Sequence, residues 1–129
     1  MIVVDCAAVV DALTAADGTD NLRELLAAEE LCAPTLLDFE VVPALRGMTL
    51  RGELPVSRAE DTLTDFDDLA ILRWPSHDSL RRRAFQLRDN MSAYDAAYVV
   101  LAEALACPLV TRDLRLAKAS EHLITIDVR

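Results

Sequence analysis

Four carboxylates occupy places in this chain where an acid needs a reason: Asp5, Glu40, Asp95 and Asp113. Asp5 closes the short apolar run Ile2–Val4, and Asp113 lies just past the run PLVT at 108–111. Such runs read as strands covered on both faces, so each of these acids sits where the backbone leaves the core. Burying an unpaired charge there costs on the order of several kcal/mol. Asp5 therefore requires water, a hydrogen-bond donor or a metal.

The other two acids are placed by helical periodicity. On a helix beginning near Pro34, the residues Leu37, Val41, Ala44, Leu45 and Met48 form the apolar stripe; Glu40 lies on its edge, while Asp38 and Arg46 point away. On a helix starting near Ser92, Asp95 shares a face with Tyr98, Val99, Ala102 and Ala106. Carboxylates that converge repel one another and titrate upward unless a cation compensates. An oxygen-only set without His or Cys selects a hard ion, Mg²⁺ or Mn²⁺, whose natural partner is a phosphodiester. Such an ion lowers the pKa of a water and neutralises phosphoryl charge; two ions, roughly 3.5–4 Å apart, would suit a bridging phosphate.

Each acid also has an ordinary explanation. Ser92-x-x-Asp95 has the form of a capping box, and Asp113 could cap the short helix that follows it. Asp5 could cap the helix beginning near Ala7, and Glu40 could pair with Arg51. Each explanation is respectable singly, and the conjunction of four is harder to dismiss. The acids of 57–69 read as a solvated helix face, and His77 and His122 have no metal spacing. Arg81, Arg82, Arg83 and Arg88 read as an exposed basic face balanced by Asp78 and Asp89, whereas Trp74, Phe85, Tyr94 and Tyr98 follow core patterns.

The elements that position these acids follow from alternating patterns. Apolar runs at 2–5, 31–34, 70–74, 108–111 and 123–126 alternate with helical segments near 7–16, 20–29, 35–52, 57–69, 76–89, 92–106 and 113–119. This is the βαβ signature of a mainly parallel sheet of about five strands with helices on both faces. In such sheets ligands gather outside the carboxyl ends of the strands, which adds weight to Asp5 and Asp113.

The bulk numbers narrow the class. A chain of 129 residues, 53% of them hydrophobic, reads as a single globular domain over 1–129. A net charge of −9, with Lys118 the sole lysine, argues against broad sequence-independent phosphate binding. Cys6, Cys32 and Cys107 are odd in number and lack C-x-x-C spacing, so buried reduced thiols are expected. No signal-peptide pattern and no membrane-length apolar stretch is seen, and a cytoplasmic location is expected.

The segments MIVVDCAAVVDAL, APTLLDFEVVPALR, SAYDAAYVVLAEAL and PLVTRDLRLAKA resemble PIN-domain ribonucleases, in particular VapC-type toxins of toxin–antitoxin pairs. The resemblance spans essentially the whole chain and implies a PIN-like three-layer α/β/α sandwich. It places the family's acidic quartet on Asp5, Glu40, Asp95 and Asp113. It further implies Mg²⁺ held by Asp5 and Asp95, with Asp113, while Glu40 positions water or metal and Thr111 supports the site. The implied reaction is endonucleolytic hydrolysis of RNA, tRNA or another structured RNA; the implied partners are a VapB-type antitoxin and a second copy in a homodimer.

The chain departs from that pattern at three positions. Cys6 and Ala7 replace the hydroxyl residues common after the first Asp, and Pro43 stands where Asn is frequent, inside a helix that it is expected to kink. An alternative is therefore a PIN-like binding module with weak turnover that acts through its partner. A phosphatase would want a D-x-D pair where this chain has Asp5-Cys6-Ala7, and a receiver domain would want adjacent acids there.

Overall fold

Ile2–Val4 (β1) is buried throughout and passes through Asp5 directly into the helix Cys6–Leu13 (α1). The computed structural model describes all residues, 1–129. Beyond α1 come Asp20–Ala28 (α2), Leu31–Pro34 (β2), Leu36–Leu50 (α3), Val56–Asp68 (α4) and Ile71–Trp74 (β3). Asp78–Gln86 (α5), Ala93–Leu105 (α6), Leu109–Thr111 (β4), Leu114–Ser120 (α7) and Ile126–Val128 (β5) complete the order.

The five strands pair in parallel in the order β3-β2-β1-β4-β5. Parallel pairing forces crossovers, and these form the covering layers: α1 to α4 pack on one another, α5 packs on α6, and α6 lies against β1, β2 and β4. The result is the α/β/α sandwich expected. Strand order reverses at β1, whose neighbours are β2 and β4. The crevice beyond the carboxyl ends of β1 and β4 is thus the switch point at which such sheets take ligands. Asp5 directly follows the first of those ends, and Asp113 lies two residues past the second.

Four expectations need correction. The last strand is Ile126–Val128, not 123–126. Leu123 and Ile124 both donate their N–H groups to the Ser120 carbonyl, which winds the chain off α7 before the ladder resumes at the Thr125 carbonyl. Pro34 ends β2 rather than opening a helix, and α3 begins at Leu36. Phe85 and Tyr94 are surface residues, 67% and 65% exposed, on the outer sides of α5 and α6. The fourth concerns the basic helix, where Arg83 is balanced by Glu103 of α6 at 2.8 Å instead of by its own acids.

Helix α3 continues unbroken through Pro43, which faces solvent. Its missing N–H leaves the carbonyl one turn earlier, at exposed Phe39, where water can serve it. No helix is long and apolar enough to cross a membrane.

Helix α6 ends at Ala106 in the left-handed region (φ 51°, ψ 44°), and the Ala106 side chain is exposed. A Cβ is unfavourable in that conformation, and glycine is the usual solution. Ala106→Gly is expected to stabilise the fold by about 0.5–1 kcal/mol, seen as a melting temperature raised by a few degrees. An unchanged or lower melting point would contradict this account of the cap.

Candidate active site

Asp5 follows from the way β1 hands over to α1. It is the N-cap of α1: its Oδ1 accepts the Ala8 N–H at 2.8 Å, satisfying a helix donor left without an intrahelical partner. Its Oδ2 accepts a hydrogen bond from the Thr111 hydroxyl, which is fully buried at the end of β4. Thr111 Oγ1 in turn accepts the Asp113 N–H at 3.0 Å. One hydroxyl therefore ties the carboxyl ends of the two strands together, and it provides the support that Cys6 and Ala7 lack.

Asp113 caps α7, its Oδ1 accepting the N–H groups of Arg115 at 2.9 Å and Leu116 at 3.2 Å. Asp95 lies in the first turn of α6, where its N–H donates to the N-cap Ser92 Oγ at 3.1 Å. The capping explanation is thus correct for Asp5 and Asp113, and for Asp95 only the Ser92 half of the capping box forms, so none of these roles competes with a second use. Capping assigns Asp113 Oδ1 and leaves Oδ2 free, and the Ser92 cap uses the Asp95 amide.

Electrostatics tie these three acids into one group. Asp5 is only 6% exposed, and burial pushes its carboxyl up to about 6, with Asp113 and Asp95 adding to the rise and the Thr111 and Ala8 bonds opposing it. Burial also raises Asp95, and the charge of Asp113 raises it further, against lowering by Ser92 and Arg115. None of the four predicted acids is in an ion pair. Arg112, flanked by Thr111 and Asp113, is drawn away to Asp11 at 3.0 Å and to the Asp17 carbonyl at 3.2 Å.

Glu40 comes from α3 and meets α6 at Tyr98. Arg51 is not its partner, since Arg51 pairs with Glu53 at 2.8 Å. Instead Glu40 Oε1 accepts the Tyr98 hydroxyl at 2.5 Å. Tyr98, one turn beyond Asp95 on α6, is 3% exposed and is held neutral by burial first and by Glu40 second. Cys6 lies in the same neighbourhood: burial pushes its thiol up to about 12, and the charges of Glu40, Asp5 and Asp11 add to that. Tyr98 is the site residue that periodicity alone assigned to the core. The available signal was its i, i+3 spacing from Asp95, which stacks the two side chains on one helix face.

As the side chains stand, no group of three or more His, Cys, Asp or Glu is gathered closely enough to hold an ion. The donor set nevertheless suits a hard cation: it is oxygen-only, burial and then the charge of Asp113 raise Asp5 and Asp95, and none of its acids is in an ion pair. A cavity of about 470 Å³ adjoins this end of the sheet, lined by Pro34, Trp74, Phe85, Arg88, Met91 and Ser92 among others. The Trp74 indole N–H is buried and has no hydrogen-bond partner.

Residues 2–122 match the PIN domain family model. The chain belongs to the PIN-domain family. It is 43% identical over 128 residues to ribonuclease VapC9 of Mycobacterium tuberculosis, covering 99% of this chain and 98% of that protein. Ribonuclease VapC1 of the same organism is 45% identical over 118 residues, covering 91% and 89% respectively. Among solved PIN-domain structures, PAE2754 from Pyrobaculum aerophilum superposes with a TM-score of 0.70 at 26% identity, covering 98% of this chain and 83% of that one. The PIN architecture expected from the sequence is therefore present over residues 2–122.

Proposed function

We propose that this PIN domain is the toxin half of a toxin–antitoxin pair, an endoribonuclease that hydrolyses RNA phosphodiesters with a divalent cation. The observation that supports this most is the Thr111 hydroxyl that ties Asp5 to Asp113 at the two strand ends, where burial first and Asp113 second raise Asp95, burial also raises Asp5, and none of these acids is in an ion pair. Asp5, Asp95 and Asp113 would hold Mg²⁺, or Mn²⁺ in its place. Bound there, the ion supplies charge neutralisation at the phosphoryl oxygens and acidifies a water.

The chain's own residues do the rest. Thr111 fixes the Asp5 carboxylate from behind, and Ala8 fixes its other oxygen. Glu40, held at Oε1 by Tyr98, keeps Oε2 free to orient the attacking water and to accept its proton. An anionic pocket in a chain of net charge −9 also favours a basic side chain from a protein partner, in keeping with a VapB-type antitoxin. Exposed Phe39, Phe85 and Tyr94 offer apolar surface for that partner or for a second protomer.

The weaker-turnover reading rested on Cys6, Ala7 and Pro43. Support for Asp5 from Thr111 and the unbroken α3 remove much of its motive. Purified protein incubated with tRNA and Mg²⁺, beside an Asp5→Asn sample and an EDTA arm, tests the proposal. Cleavage with mapped ends is expected only for the unmodified chain with the ion; equal cleavage in every arm would mean contamination and remove the enzyme assignment.

A further inference from the structure

Most of the acids around this site have two reasons to be where they are, because Asp5 and Asp113 cap helices and Asp95 sits in a capped first turn. Glu40 has no such anchor. It lies inside α3, half-buried, away from any cap, and no arginine or lysine pairs with it. A glutamate has three side-chain torsions, and leaving them free would spread its carboxylate over many positions. One contact restrains it: the Tyr98 hydroxyl, 2.5 Å from Oε1.

We infer that Tyr98 is a positioning residue for catalysis, a rigid strut that sets Glu40 against the acids of α6 and β1. Two features fit it for this. Its ring is 3% exposed and belongs to the buried core cluster, so the hydroxyl is not free to swing out to solvent. Burial and the neighbouring Glu40, Cys6 and Asp5 keep the phenol protonated, so it remains a donor to Glu40. Asp95 and Tyr98 lie on one face of a single helix, so α6 sets the spacing between Asp95 and Glu40 although Glu40 belongs to another layer.

The inference rests on the nuclease reading, and its test separates the two. Tyr98→Phe keeps the ring and removes only the hydroxyl. At saturating Mg²⁺ the cleavage rate is expected to fall roughly 10-fold or more, because a displaced general base loses its near-attack geometry. The Mg²⁺ concentration for half-activity should stay within about two-fold, since Asp5, Asp95 and Asp113 are untouched. In a Glu40→Gln background the same change should have no further effect on rate, the non-additivity of two groups acting as a unit.

A Tyr98 that serves only packing would lower the rate by the same factor in both backgrounds, and that result overturns the inference. The contact can also be read without any turnover: the Glu40 side-chain carbon resonance in a ¹³C-labelled chain should shift on Tyr98→Phe, and an unmoved resonance would equally overturn it. Unmodified protein that cleaves no RNA under any condition would instead bring down the nuclease reading.

Discussion

Asp5→Asn is expected to abolish RNA cleavage, by roughly 100-fold or more, while making the protein more stable. The two effects have one cause. Burial holds the Asp5 carboxyl at about 6 in the folded chain against 3.8 when unfolded, so the folded state binds its proton more tightly. As pH rises from 3.8 to about 6 the folded protein gives up that advantage, and stability falls across this window. A shift from 3.8 to about 6 corresponds to about 3 kcal/mol at neutral pH.

Asn removes that cost while keeping the cap. Its Oδ1 still accepts the Ala8 N–H, and its amide can donate to the Thr111 oxygen. The melting temperature at pH 7 should rise by roughly 5–15 °C, with the gain vanishing near pH 4. Mg²⁺ should raise the melting point of the unmodified chain and leave that of the variant unchanged. A variant that folds and still cuts RNA at more than a tenth of the normal rate would place the chemistry elsewhere.

The second large effect is expected at Thr111→Val. The substitution conserves shape in a fully buried place and removes a hydroxyl that both donates to Asp5 Oδ2 and accepts the Asp113 N–H at 3.0 Å. Two polar groups lose their partner at once, and each unsatisfied group costs about 1–3 kcal/mol. The supporting partner of a metal-holding carboxylate typically accounts for 10- to 100-fold in affinity or activity, so the Mg²⁺ requirement should rise by about that factor. Thr111→Ser restores the hydroxyl and should recover most of both losses. Normal Mg²⁺ dependence and melting in the valine variant would show that Asp5 needs no help from β4.

The fold was legible in the sequence where burial is complete. The strands Ile2–Val4, Leu31–Pro34 and Leu109–Thr111 are apolar and covered on both faces, and a continuous apolar run between helical patterns admits one reading. The edge strand Ile126–Val128 was less legible, because its three residues are only partly covered and the more apolar Leu123 and Ile124 are spent on closing α7. Phe85 and Tyr94 misled for a related reason: an aromatic at core spacing looks the same whether or not a neighbour covers it.

The candidate acids could be picked out of the sequence, and what holds them could not. Asp5 and Asp113 follow strand ends, and their position relative to the local pattern singles them out. The link between Asp5 and Thr111 spans 106 residues, and that between Glu40 and Tyr98 spans 58. Which carboxylate meets which hydroxyl depends on strand order and on the tilt of α6 over the sheet, neither of which is written in local spacing.

On the proposed reading Asp5 and Asp113 serve folding and catalysis at once, which bears on how related chains are read. A descendant that had abandoned turnover would still be under pressure to retain Asp5 and Asp113, because α1 and α7 begin on them. Their survival in a relative is therefore poor testimony that it cuts RNA. Glu40 begins no helix and could drift away at little harm to folding, so its retention opposite a tyrosine is the better diagnostic of a working nuclease.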